Sequence, residues 1–377
     1  MNARTCRLTG RFGYSDGMYR IALVTLCTLG CAGPAGTASR PATNTTGPSG
    51  DQPEQGTDAM DWQSPLLRDH ALVGRIWDTR ERRFATREEL GKRAAEARFV
   101  LVGETHDNAD HHLLQAAVID MVTGAARKPA VVFEMIAPDQ KEAVDRQRQT
   151  APGDVDGVGA TLEWDKSGWP PWAIYRPIFA SVVAAGLPIV GAALPRAQTM
   201  ELALGKRQLP AELVATYKLG EPLPGDLQAA LVAELTASHC GHMSEAMLAP
   251  MSGIQRARDA LMADGLATGA TADGAILIAG GGHVRSDRGV PFYLRLAGHP
   301  ADKILAIGFI QVTAEAKSPA DYARYYQDTL PFDYVWFTPV ANDIDRCAEL
   351  KERMKHKKTE MKSDEQGSGA QKAPAGE

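Results

Sequence analysis

A series of short, continuous apolar runs, set between stretches of helical periodicity, constrains this chain more than any other feature. Phe99-Val100-Leu101-Val102 is the first clear run, Val131-Val132-Phe133 the second and Pro188-Ile189-Val190 the third. Ala275 to Ala279, Ile304 to Val312 and Tyr334 to Phe337 follow. None alternates polar with apolar, so each reads as a strand buried on both faces, the pattern of a parallel sheet. Between them Leu113, Leu114, Ala117, Val118, Met121 and Val122 keep helical spacing, with Asp107 or Asn108 as the expected N-cap. Phe179 to Ala185 precedes the third strand. Ser252 is expected to cap a helix that turns Ile254, Ala257 and Leu261 inward and carries Gln255, Arg258, Asp259 and Met262 on another stripe. The expected fold is therefore α/β: a mainly parallel sheet with helices on both faces, in a single domain over residues 65–345. Arg75 to Phe84 is expected to open it as a short hairpin. No internal repeat of fixed period is present.

The flanks are built differently. Ile21 to Leu29 is apolar, but it falls short of the roughly 20 residues a membrane-spanning helix needs. With Arg20 before it and Gly30-Cys31 after it, the run suits the core of an export signal. Thr28-Leu29-Gly30-Cys31 resembles a bacterial lipobox, whose cysteine is acylated and becomes the new N-terminus. The expectation is a signal peptide over 1–31, a lipid anchor on Cys31, and a place in the bacterial cell envelope, at the outer membrane or its periplasmic face. Asp16 is out of place in such a signal, and Met18-Tyr19-Arg20 makes a more typical start, so translation is expected from Met18. Gly13-Tyr14-Ser15-Asp16-Gly17 matches the nucleophile-elbow pattern, but no strand precedes it and no helix follows; it is read as chance. Residues 32–64, rich in Gly, Pro, Thr and Ser, are expected to form a flexible linker. Residues 346–377 are expected to be a disordered, solvated tail.

A net charge of −5 provides no basic field, so nucleic acid is not an expected partner. Of five cysteines, only Cys240 and Cys347 lie outside the export segment. Two are too few for a disulfide framework; one bridge between them is open, and is not expected.

In open α/β sheets ligands bind beyond the carboxyl ends of the strands. Here those ends are polar. The first strand runs into Gly103-Glu104-Thr105-His106, the second ends in Glu134, the third leads to Leu194-Pro195-Arg196, and the fourth ends in Gly280-Gly281-Gly282-His283. Two strands thus share a Gly-x-x-His ending. Glu104, His106, Glu134 and His283 are therefore expected to form one polar site, with Arg258 as the balancing charge. Such a set can bind a divalent metal ion. It can equally run acid–base hydrolysis, a carboxylate orienting an imidazole. The plainer alternative is that each His caps a turn and each Glu satisfies buried donors.

His111 and His112 open a helix near His106; one of them is read as its support, the plainer alternative being an exposed helix end. His239, Cys240 and His242 cluster without further spaced ligands and are not read as a zinc site. No Cys-x-x-Cys-His occurs, which excludes covalent c-type haem. Trp164 to Pro177 is read as a rigid aromatic loop broken by prolines. It can wall a flat apolar ligand, with Tyr175 as a phenolate donor to ferric haem and Arg176 or Arg196 pairing with a propionate; the plainer alternative is a loop packed against its own domain.

With these residues in view, the body resembles the ChaN-like family of the Tiki/TraB/erythromycin-esterase superfamily. The likeness runs through Trp77-Asp78-Thr79, Val102 to Asn108 with His111-His112, Phe133-Glu134-Met135, Trp172 to Pro177, Gln255 to Asp259, Gly282 to Arg285 and Gly289-Val290-Pro291. One position departs from the family pattern, Ala193 standing where an Asn commonly precedes Leu-Pro-Arg. The resemblance implies a surface lipoprotein that binds haem and assists iron acquisition, with outer-membrane uptake machinery as a partner and a homodimer enclosing cofacial haems. On that basis Tyr175, Arg176, Arg196 and His112 are the expected haem contacts. The wider superfamily includes hydrolases that use paired Gly-x-x-His motifs.

Overall fold

The computed structural model describes residues 60–354. The signal peptide, Cys31, the Met18 start and most of the expected linker and tail lie outside the described residues. Eight strands form one sheet: β1 (Ile76–Asp78), β2 (Arg83–Ala85), β3 (Phe99–Glu104), β4 (Ala130–Phe133), β5 (Ile189–Gly191), β6 (Ala275–Gly280), β7 (Ile304–Gln311) and β8 (Tyr334–Thr338). Their spatial order is β2-β1-β8-β7-β3-β6-β4-β5. The β8-β7-β3-β6-β4-β5 block is parallel throughout, and the β1–β2 hairpin is appended to β8 antiparallel. This is the mainly parallel α/β sheet that the unbroken apolar runs require.

The helices are α1 (Arg87–Glu96), α2 (Ala109–Gly124), α3 (Lys141–Thr150), α4 (Val155–Thr161), α5 (Trp164–Ser167), α6 (Trp172–Ala184), α7 (Arg196–Ala203), α8 (Ala211–Thr216), α9 (Gly225–Ser238), α10 (Glu245–Gly269), α11 (Gly281–Val284) and α12 (Val290–Leu296). They cover both faces of the sheet because successive strand residues point to opposite sides. Val100, Val102, Ile276, Ile278, Val131 and Phe133 pack on one side with Leu114, Val118, Ile119, Phe179 and Val182 of α2 and α6. Phe99, Leu101, Ala275, Leu277 and Val132 pack on the other with Ala260, Ala263, Leu266, Tyr293 and Leu294 of α10 and α12.

Three local expectations change. Ser252 caps nothing: α10 begins at Glu245, carries Pro250 within it, and leaves Ser252 buried, accepting from Gln228 Nε2 at 3.1 Å. Pro250 removes the backbone bond to the Ala246 carbonyl and crowds that carbonyl, yet α10 continues through it. Likewise Trp164 to Pro177 is a loop only in part: α5 covers Trp164–Ser167, residues 168–171 form the link that carries Trp169, and α6 begins at Trp172 with Pro177 inside the helix.

The third change concerns the tail expected from residue 346. Residues 346–354 are helical, and Cys347 is disulfide-bonded to Cys240 across 107 residues. Composition cannot reveal a tether made by one distant partner. At the other edge, the buried Asp110 carboxylate accepts from the backbone N–H groups of Gln63 and Ser64 at 2.7 and 2.9 Å. That ties the end of the expected linker to the start of α2.

Candidate functional site

β3 and β6 are neighbours in register, with Glu104 beside Gly280, so the two Gly-x-x-His segments leave the sheet side by side. Their glycines are there for space. Neither has a positive φ. A Cβ on Gly103 would stand 2.9 Å from the Gly281 Cα, where α11 crosses β3. A Cβ on Gly280 would stand 3.0 Å from His106 Cε1 and 3.6 Å from Glu134 Oε2. The His106 ring is therefore seated against the bare end of β6, next to the carboxylate at the end of β4.

The His106 side chain keeps 40% of its surface exposed. Its Nδ1 donates to Glu104 Oε1 at 2.5 Å. Glu104 is buried, and Tyr175 donates its phenol to the same oxygen at 3.2 Å. The other carboxylate oxygen, Glu104 Oε2, is buried with no hydrogen-bond partner. Burial works against a charge on the His106 imidazole, but the hydrogen bond and charge of Glu104 outweigh it and raise the pKa. The turn itself is held from α2. Asn108 caps that helix through the N–H groups of Asp110 and His111, and His112 Nε2 donates to the His106 carbonyl at 3.0 Å. His111 is a structural residue: buried between the Thr105 N–H and Thr338 Oγ1, each at 2.8 Å, it is held neutral by burial.

His283, on α11, is buried, and both its ring nitrogens are committed. Nδ1 donates to Asp259 Oδ1 at 2.6 Å, and Nε2 lies 3.3 Å from Glu134 Oε1. Burial alone would lower its pKa; the carboxylates on either side outweigh that and push it up to about 9. The Gln255 amide packs 3.1 Å from the same Nδ1. Glu134 also accepts from Arg258 Nη2 and, at 2.8 Å, from the Gly280 N–H. Burial pushes the Glu134 carboxyl up, but His283, Arg258 and His106 together hold it well below the usual carboxylate range. Arg258 is thus the cation facing Glu134, and its side chain stays 30% exposed.

Glu104, His106, Glu134, His283 and Arg258 come together at the carboxyl edge of β3, β6 and β4. The other expected contacts do not join them as expected. Tyr175 lies on α6 and is fully buried, its phenol turned to Glu104 and its pKa driven up first by burial and then by Glu104. The phenol thus faces Glu104 and not solvent. His112 is buried against Tyr175, ring centroids 3.9 Å apart, and supports the turn. Arg176 is bound to Asp156 through two hydrogen bonds of 2.8 and 2.9 Å. Arg196 is exposed at the first residue of α7.

The divalent-metal arrangement is corrected too. Among the described residues no group of three or more His, Cys, Asp or Glu side chains is placed to hold a metal ion. The reason is mutual pairing. The His283 nitrogens face Asp259 and Glu134, and His106 Nδ1 faces Glu104, so these donors do not converge on one point. One residue went unselected in the sequence, and another was named only as part of the aromatic stretch. Asp259 lies one position beyond Arg258 on the stripe already noted, and only the position of His283 shows which of the two it needs. Trp169 stands edge-on to His106, ring centroids 4.9 Å apart, and no spacing signal connects those residues.

Residues 90–294 match the family described as haem-binding uptake, Tiki superfamily, ChaN. The chain belongs to this family. Among solved structures it is similar to ChaN of Campylobacter jejuni, described with cofacial haem binding, at 21% identity and a TM-score of 0.55, over 72% of this chain and 98% of that one. That likeness shows a shared fold. Looser likenesses are to the type III effector HopBA1 (14% identity, 67% of this chain and 92% of that one, TM-score 0.38) and to an erythromycin esterase EreC variant in its open conformation (14% identity, 69% and 95%, TM-score 0.36). Comparison with curated protein sequences gives no match.

Proposed function

We propose that this protein binds haem and serves haem or iron uptake from an anchored position in the bacterial envelope. Membership of the haem-binding uptake family over residues 90–294 carries this reading. The donor chemistry at the sheet edge fits it. Unlike a free divalent ion, a haem needs only one or two donors from the protein, because the macrocycle fills the other positions; it also carries two carboxylates that favour a nearby cation. The half-exposed His106 and the partly exposed Arg258 meet those needs. The Campylobacter structure is described with cofacial haems, and a homodimer enclosing such haems, with envelope uptake machinery as partner, is the assembly we propose to test. Hemin titrated into the purified protein should give a saturable Soret change at about one haem per chain; a linear, non-saturating response would sink the proposal. Anchoring rests on Cys31, since the run before it is too short to span a membrane. Cys31→Ser should release the protein from membranes, and unchanged partitioning would remove the lipid anchor.

One observation favours a second reading, hydrolysis. The Glu104–His106 pair is a carboxylate-oriented imidazole beside a cation, the arrangement of a general base. A screen of ester and peptide substrates tests it. A His106→Ala variant that loses a detected hydrolysis while keeping hemin binding and its spectrum unchanged would favour the enzyme.

A further inference from the structure

We infer that the Cys240–Cys347 disulfide is a redox lock on the sheet-edge site. Closed, it pins α9 and the helix at 346–354 together beside the site; a dithiol that reduces it lets both move away. The inference concerns access to the site and holds whichever ligand the site takes.

The bridge joins two segments that packing holds weakly. Residues 343–349 are exposed, and the helix at 346–354 that carries Cys347 buries none of its side chains. A helix so short is marginal in water without packing. A polar hold comes from Asp107, the residue after His106: its carboxylate accepts from Asn342 Nδ2 at 2.9 Å and from Arg346 Nη2. On the other side of the bridge, Cys240 follows the end of α9. That helix buries Ala230, Leu231 and Leu235, and the two leucines belong to a small apolar cluster apart from the two that line the sheet. A cavity of about 950 Å³ lies between the end of α9 and the C-terminal helix, lined by Ser238 and His239 on one side and Arg346, Glu349 and Arg353 on the other. The two are thus joined by the covalent bond rather than by close packing.

α9 bears directly on the second histidine motif. Its Glu234, partly exposed, accepts from the buried Arg288 and, at 3.4 Å, from the buried Arg285. A Cβ on Gly282, the residue before His283, would stand 3.4 Å from Glu234 Oε1. Gln228 reaches Ser252 of α10. α9 therefore rests on α11 and α10, the two elements that supply His283 and its partner Asp259. Glu234 is the latch and the disulfide the lock. Through Asp107 and α9, one covalent bond ties the turn after β3 to the cover of the turn after β6.

Cys347 is exposed and Cys240 half-buried, so Cys347 Sγ is the accessible sulfur. A thiolate of the dithiol attacks it, the Cys240 thiolate leaves, and the second thiol of the reductant breaks the mixed disulfide. Two electrons and two protons pass to the protein; Cys240 and Cys347 end as thiols, and the reductant ends as a disulfide.

Hydrogen exchange read by mass spectrometry on the full chain, before and after dithiothreitol, tests this. In the reduced protein the amides of residues 343–354 and of α9 should exchange about tenfold faster or more, while those of β3, β4 and β6 stay protected. His283, buried in the locked form, should become reactive toward diethyl pyrocarbonate. The Cys240→Ser/Cys347→Ser protein should show the reduced pattern with or without dithiothreitol. Should it fail to fold, the reduced wild type carries the test, with circular dichroism showing that its fold is kept. Glu234→Gln separates latch from lock: oxidised, it should stay closed, and reduced, it should open further than the wild type. Equal exchange before and after reduction overturns the inference, and so does general unfolding. Faster exchange confined to residues 343–354, with α9 and His283 unchanged, overturns it as well and leaves the bridge a tether for the tail.

Discussion

The endings of β3 and β6 carry the same Gly-x-x-His pattern, lie side by side, and make two different histidines. After β3 the chain makes an open turn, and His106 meets one carboxylate and solvent. After β6 it coils directly into α11, and His283 is driven under α10 between two carboxylates. The first keeps a nitrogen for chemistry; the second is a buried cation that ties three elements together. A shared motif thus specifies where a side chain leaves the sheet, and the neighbours it meets decide what that side chain does.

The largest effect should come from breaking the β6 half of the pair. Glu134→Ala leaves His283 and Arg258 facing each other around a cavity, and removing one member of a buried ion pair costs roughly 3–5 kcal/mol. Urea unfolding should show that loss with folding still cooperative; a loss below about 1 kcal/mol would mean that His283 is not held as a cation.

The same contrast has a pH signature. His283 is raised to about 9 in the folded protein from an ordinary value near 6.5. Its contribution is therefore complete below about pH 6.5 and is lost as pH rises through about 9, on the order of 3 kcal/mol. Stability measured from pH 6 to 10 should decline across that window, and the decline should vanish in His283→Gln. Glu134 has the opposite sign, its contribution being lost only under strongly acid conditions.

A smaller change sharpens the β3 half. In Gly280→Ala the new methyl would stand 3.0 Å from the His106 ring, which can move toward solvent. The expected cost is about 1–2 kcal/mol in stability, together with a clear change in the hemin spectrum; an unaltered spectrum would show that the ring's seat is unimportant. Smallest of all is Tyr175→Phe. It removes one hydroxyl from Glu104 and should cost about 1 kcal/mol, while leaving the haem-binding spectrum that of the wild type. A spectrum that loses phenolate character instead would restore Tyr175 as the ligand.

Much of this arrangement is legible in one dimension because it depends on strand periodicity. Unbroken apolar runs can be buried only between two layers of helix, and that places Glu104, Glu134 and the glycines of both motifs at one edge. Helical spacing also puts Arg258 and Asp259 on one stripe. Other features were hidden for particular reasons. The helices through Pro177 and Pro250 were expected, but their starts were placed too late, because a proline inside a helix looks, in sequence, like one that bounds it. The Cys240–Cys347 bridge and the helix at 346–354 were missed because two cysteines far apart in sequence carry no spacing signal.

The sequence by itself determined the layering of the fold, the edge at which polar side chains collect, and the identity of four of them, since each follows from local periodicity and from the position just after a buried strand. Only the tertiary structure decided their partners. Whether an imidazole is charged, free or shared depends on which carboxylates lie within about 3 Å of it, and those come from α10, β4 and β3 by way of packing across the sheet. Electrostatic interaction in a buried site falls off with distance in space, which separation along the chain does not encode.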